Sequence, residues 1–167
     1  MPRKKTKVAI IYDFDKTLAT TDMQNYNFIK NVGLTVPQFW ELTGKFCAET
    51  HCDKILGYMY TMLKTARDAG VPLTRKFLNE CAKDVVLFPG VETWFDRINE
   101  YAAAKNIIVE HYICSSGNKE IIEGTTIAKK FKKIFGCQFV FDSVTKEAIW
   151  PKTAINYTQK TQYLYRI

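Results

Sequence analysis

The sequence predicts an α/β fold in which a parallel sheet, covered by helices, carries a helical insertion after its first strand. Three observations carry this. The runs "VAIIY" and "IIVEHYIC" are apolar and β-branched, as buried strands are. Helical patterns follow each of them, and strands that alternate with helices form parallel sheets. Between the two runs, from Asp22 to about Asp84, apolar residues recur at helical spacing with no strand-like run among them.

The first strand spans about residues 7 to 12 and runs into the turn-rich "DKTLATTD". The insertion then reads as a small bundle. Its segments are "DMQNYNFIKNV", "PQFWELTGKFCAET" opened by Pro37, "DKILGYMYTMLKTARDAG" closed by Gly70, and "TRKFLNECAKD" with Thr74 as N-cap. "VVLFPGV" breaks the pattern before the longer helix "VETWFDRINEYAAAK". The second strand, "NIIVEHYICSSGN", ends in small polar residues and glycine, and a short helix starts near Lys119. "IAKKFKKIF" reads as an amphipathic helix with Ile127, Phe131, Ile134 and Phe135 on one face and Lys129, Lys130, Lys132 and Lys133 on the other. "CQFVFDSVTKEAIWP" reads as two short strands around a polar turn, and "TQKTQYLYRI" as a helix. The expected division is a sheet domain over 1–20 and 85–167 and a helical module over 21–84.

Composition sets the class. With 167 residues, 47% hydrophobic, 14% aromatic and 25% charged, the chain can build one cored domain plus a small module, and it has no low-complexity tract. No apolar stretch is long enough to span a membrane, and "MPRKKTK" passes straight into a strand rather than a signal-peptide apolar region, so a cytoplasmic protein is expected. Cys47, Cys52, Cys81, Cys114 and Cys137 form no CxxC pair and read as reduced, largely buried thiols, none a metal ligand. The net charge of +7 raises nucleic-acid binding, but Arg3, Lys4, Lys5 and Lys7 form a tail and the second basic cluster lies on a helical face without interleaved aromatics. Solvated faces, and no nucleic-acid partner, are expected.

In an open parallel sheet the ligand crevice lies outside the carboxyl ends of the strands. Asp13 and Asp15 stand there after the first strand, and Ser115, Ser116 and Gly117 after the second. Two carboxylates this close either raise one pKa or demand a cation, and with oxygen donors and no nearby His or Cys that cation is Mg²⁺. Such a pair suits phosphoryl transfer: one Asp as nucleophile, the other shuttling a proton, the metal offsetting charge repulsion.

At these residues the chain resembles the haloacid dehalogenase superfamily. "IIYDFDKTLAT" is similar to its hhhhDxDxT signature, "HYICSSGN" to its strand ending in Ser or Thr, and "QKTQYLYRI" to the helix opened by a Lys. The resemblance spans nearly the whole chain. It implies a Rossmann-like sheet with a helical cap inserted after the first strand, of the kind seen in phosphoserine phosphatases. It implies Asp13 as nucleophile, Asp15 as acid/base, and both as ligands of Mg²⁺ together with the Asp15 main-chain carbonyl. It further implies phosphate binding by Thr17, Ser115, Gly117 and Lys160, with Ser116 as the alternative to Ser115 and Lys152 less well placed than Lys160. The function implied is Mg²⁺-dependent hydrolysis of a small phosphorylated metabolite through an aspartyl-phosphate.

The superfamily's fourth motif, acidic residues on a later strand that complete the metal shell, has no match between Lys160 and Ile167. The expectation is therefore a core truncated at its C-terminus, either part of a longer protein or a catalytically incomplete remnant that binds phosphate or a partner. The strand "KVAIIY" then becomes a bare edge, to be covered by a homodimer, by strand exchange or by the C-terminal segment.

Other readings of the acidic pair fit less well. An EF-hand loop counted from Asp13 puts Leu18 where glycine is needed and Gln24 where a bidentate Glu is needed. A glycosyltransferase DxD requires a nucleotide-sugar domain upstream, and only twelve residues precede Asp13. His51 lies in the insert and His111 within a strand, which favours structural roles, and the insert aromatics Phe39, Trp40, Tyr58 and Tyr60 read mostly as core.

Overall fold

The computed structural model describes residues 5–167; Arg3 and Lys4 of the basic tail lie outside the described residues. Four strands, β1 (Thr6–Tyr12), β2 (Ile107–Asn118), β3 (Lys133–Phe141) and β4 (Ala148–Thr153), form one sheet in the order β1-β2-β3-β4. β1 pairs with β2 in parallel, from Thr6 opposite Ile107 to Tyr12 opposite Ile113, and β3 joins β2 in parallel. β4 runs antiparallel to β3, because the link between them is a tight turn rather than a crossover. The Asp142 carboxylate holds that turn, accepting the N–H groups of Val144 at 2.8 Å and Thr145 at 2.7 Å.

Between β1 and β2 come α1 (Asn27–Asn31), α2 (Val36–Thr50), α3 (Lys54–Asp68), α4 (Arg75–Glu80) and α5 (Val91–Ala103). α6 (Lys119–Glu123) follows β2, and α7 (Tyr157–Leu164) follows β4. The helix starts are fixed by local chemistry. Thr35 and Gln38 form a reciprocal capping box that spans Pro37, Asp53 accepts from Ile55 and Leu56, and Thr74 caps α4. Gly70, at φ +65°, supplies the left-handed turn after α3.

One apolar cluster runs through the insert and the sheet, with Phe14, Phe28, Phe39 and Phe95 fully buried. The chain leaves and re-enters the core on adjoining segments: Thr20 N–H donates to the Val86 carbonyl at 2.9 Å, and Phe88 N–H to the Leu18 carbonyl at 2.9 Å. Farther along, Ala148 N–H donates to the Leu73 carbonyl at 2.8 Å, joining the insert to the β3–β4 hairpin.

The segment 127–135 departs from the helical expectation. Only Ala128–Lys130 makes a 3₁₀ turn, Phe131 is extended, and Ile134 and Phe135 belong to β3. The mixed face that looked amphipathic is split between two surroundings. Phe131 packs edge-on against Phe95 and Tyr12, whereas Ile134 and Phe135 align with Ile113 and Cys114 of β2. Pairing with a buried strand outweighs weak helical periodicity over so short a run. Of the lysines, Lys130 pairs with Asp96 and Lys132 with Glu110.

β1 is an edge strand, and no other strand of the described residues lies on its free side. Val8 and Ile11 of this strand are 40% and 38% exposed. α7 packs near β2 rather than along that edge, with the Cys114 thiol directed at the Lys160 carbonyl at 3.8 Å.

Candidate active site

β1 delivers Asp13 at the end where the parallel strands finish. Its Oδ1 accepts the Phe14 N–H at 2.9 Å, and its Oδ2 lies 2.8 Å from Lys160 Nζ. The Asp13 side chain is 44% exposed and that of Lys160 25%, so the pair opens to solvent and a ligand can reach it. Lys160 is held in place by α7, whose N-cap Asn156 accepts from Gln159 N–H, while the Asn156 carbonyl accepts the Lys160 N–H at 3.1 Å.

The chain then turns sharply. Phe14 is fully buried, its carbonyl accepts the N–H groups of Thr17, Leu18 and Ala19, and Lys16 adopts the left-handed region at φ 58°. This places Asp15 inward, where its Oδ1 accepts the Met23 N–H at 2.9 Å. Burial pushes the Asp15 carboxyl from 3.8 up to about 7; the Met23 N–H opposes this, and the nearby carboxylates of Asp22 and Asp13 add to it. Near neutrality such a group exists in both protonation states, which suits proton transfer. Asp22 is itself paired with Lys16 at 2.7 Å.

At the end of β2, Gly117 lies against Asp15: a Cβ there would sit 2.7 Å from Asp15 Oδ2 and 2.1 Å from Met23 Cε. The Ser115 hydroxyl is fully buried and accepts the Gly117 N–H at 2.9 Å, which shapes the loop. Ser116 is half-buried, and its carbonyl accepts from the Tyr58 hydroxyl at 2.8 Å and the Cys137 thiol at 3.2 Å. Thr17 is exposed. The structure thus brings Asp13 to Lys160 and Asp15 to Gly117, while Ser115 contributes through the Gly117 N–H and Lys152 lies exposed on β4.

Comparison with known structures places the architecture. A haloacid-dehalogenase family hydrolase from Salmonella enterica serovar Typhi superposes over 99% of this chain at 16% identity, with a TM-score of 0.65. The present chain spans about half of it, 52%. A substrate-bound phosphoserine phosphatase matches over 98% of this chain and 71% of its own, at 12% identity and a TM-score of 0.66. A phospho-aspartyl intermediate analogue of phosphoserine phosphatase matches over 83% of this chain and 60% of its own, at 15% identity and a TM-score of 0.54. The chain has the haloacid dehalogenase fold. No family model and no curated protein sequence matches it.

Within the haloacid dehalogenase fold, three features of this site escape sequence reading. The Met23 N–H that reaches Asp15, the Lys16–Asp22 pair and the Tyr58 tether are all set by where the insert folds back. Asp22 carried the one visible signal, a third carboxylate close after the first two. His111 is structural: buried, it bonds the Tyr12 hydroxyl at 3.0 Å and Asn99 at 3.1 Å, and desolvation lowers its pKa. His51 is exposed in the turn after α2.

Asp13 and Asp15 are hard oxygen donors of the kind Mg²⁺ takes, and they would leave most of its coordination to water and substrate oxygens. Among the described residues no group of three or more His, Cys, Asp or Glu side chains assembles around a common point. No helix among them is long and apolar enough to cross a membrane.

Proposed function

We propose that the protein is a Mg²⁺-dependent phosphomonoester hydrolase acting on a small phosphorylated metabolite in the cytoplasm, through an aspartyl-phosphate on Asp13. The observation that carries this is the solvent-open Asp13 carboxylate 2.8 Å from Lys160 Nζ, beside Asp15, whose pKa is raised to about 7. An Asp13 oxygen attacks phosphorus and the ester P–O bond breaks. Asp15, protonated, gives its proton to the departing alkoxide, then takes one from the water that attacks the phosphorus of phospho-Asp13, and the bond from Asp13 oxygen to phosphorus breaks to free the Asp13 carboxylate and release phosphate. Lys160 balances the charge of the bound phosphoryl group, and the Ser115, Ser116 and Gly117 loop offers it hydrogen bonds. Mg²⁺, when held by Asp13, Asp15 and the Asp15 main-chain carbonyl, supplies electrostatic offset between carboxylate and phosphate. The bare edge of β1, with Val8 and Ile11 exposed, supports pairing with a second copy.

A second reading, a fold that binds phosphate without turning it over, is favoured by the small metal-binding set, two carboxylates with no third acidic or His ligand among the described residues. Beryllium fluoride, a phosphoryl mimic on carboxylates, separates the two. The hydrolase reading expects a higher melting temperature with Mg²⁺ and beryllium fluoride together, none for Asp13→Asn, and phosphate released from small phosphomonoesters by the wild type. Thermal stabilisation without any phosphate release favours the second reading, and no response at all refutes both.

A further inference from the structure

The last turn of α2 and the turn that follows it hold one cysteine each, Cys47 and Cys52, which the proposed hydrolysis does not use. α2 ends at Thr50, and His51 enters the left-handed region at φ 54°. A left-handed residue after a helix reverses the chain so that the next side chain returns over the helix's last turn. Here the next side chain is Cys52, and the last turn of α2 carries Cys47. Both cysteines line one cavity of about 640 Å³, together with Trp40, Gly44 and Lys54. Cys47 Sγ is pressed against Gly57 of α3, where an added Cβ would lie 2.2 Å from it. Burial, and after it the charge of a Cys52 thiolate, push the Cys47 pKa up.

Accessibility separates this pair from the other thiols. Cys81, Cys114 and Cys137 are buried, whereas Cys47 and Cys52 are half-buried. Cys52 faces the turn, its thiol donating to the Asp53 carbonyl at 3.4 Å.

We propose that Cys47 and Cys52 form a reversible disulfide, with a hydroperoxide as the oxidant. The Cys52 thiolate attacks the outer peroxide oxygen; the O–O bond breaks, sulfur is oxidised to the sulfenic acid, and the peroxide is reduced to water or an alcohol. The Cys47 sulfur then attacks the Cys52 sulfur. The S–S bond forms, the S–OH bond breaks, and the hydroxide leaves as water with the Cys47 proton. A dithiol reductant reverses the reaction. The bridge fastens the last turn of α2 to the turn that starts α3. α2 also carries Trp40, whose Nε1 donates to Asn25 Oδ1 at 2.7 Å, and Asn25 Nδ2 donates to Thr21 at 2.8 Å, next to Asp22. Oxidation thereby stiffens the part of the insert that adjoins the acidic turn. The inference stands whether or not the chain hydrolyses phosphomonoesters.

The test treats the full chain with hydrogen peroxide, blocks free thiols by alkylation and digests with trypsin. Cleavage after Lys45 and Lys54 gives the peptide 46–54, which holds both cysteines and no other. The expected result is that peptide unalkylated and lighter by two hydrogens, returned to the dithiol by dithiothreitol, with Cys81, Cys114 and Cys137 still reduced. Cys47→Ser should leave Cys52 as a sulfenic acid trapped by dimedone, and Cys52→Ser should leave Cys47 reduced at the same dose. Both cysteines of 46–54 alkylated after peroxide treatment, or Cys52 carried to the sulfinic acid with Cys47 still reduced, overturns the proposal.

Discussion

The Tyr58 hydroxyl donates to the Ser116 carbonyl at 2.8 Å, so helix α3 of the insert is tied to the strand end that carries the candidate phosphate loop. Tyr58 is only 4% exposed, and no water can replace the bond without opening the interface. Tyr58→Phe keeps the ring's packing and removes the donor, leaving that carbonyl to the Cys137 thiol. The expected loss is about 1 kcal/mol, read as a lower urea midpoint with unchanged slope.

Among the described residues Lys160 is the cation paired with Asp13, and both are partly solvated. Lys160→Ala should therefore cost little stability but weaken beryllium fluoride binding at least tenfold, as expected for a charge that meets the ligand. Lys152→Ala, at an exposed position on β4, should leave that binding unchanged. Equal losses from the two variants would remove Lys160 from the site.

Asp15 makes stability pH-dependent in a direction opposite to that of most carboxylates. The folded chain holds its proton up to about 7 and the unfolded chain releases it near 3.8, so folding takes up a proton in that window. Stability then falls as pH rises through the window. Urea midpoints measured without divalent cations should be lower at about pH 8 than at about pH 5, and Asp15→Asn should flatten the difference. Mg²⁺ should recover part of the loss at the higher pH.

The free side of β1 predicts self-association. Ile11 is 38% exposed on a strand without proline or an outward charge near its centre. Wild-type protein should run as a dimer by light scattering at micromolar concentration, and Ile11→Lys should run as a monomer with the same circular dichroism. A monomeric wild type at all concentrations would refute pairing through this edge.

How much of this was legible depended on how local each cause was. The first strand, its acidic turn and the cap at Thr74 follow from neighbours within a few residues, so pattern and cap chemistry find them. Ile134 and Phe135 did not yield to the same reading, because their helical spacing was accidental and their strand state depends on Ile113 and Cys114, far away in sequence. Lys160 was reachable only through a family's spacing; nothing in its own neighbourhood marks it out from Lys152. The raised pKa of Asp15 was foreshadowed by a second carboxylate, but its leading cause is burial, which the packing of Met23 and Gly117 creates and the sequence does not display.

The adjoining segments at Thr20–Val86 and Leu18–Phe88, and the second seam at Leu73–Ala148, bear on how the molecule loses its structure. An insertion joined to its host by a single flexible neck melts on its own schedule. Here the insert is sewn to the host at both seams, and Phe28 and Phe39 on one side share a continuous apolar interior with Phe14 and Phe95 on the other. Neither part can come apart without uncovering the other, so the two parts of the chain constitute one cooperative unit of folding.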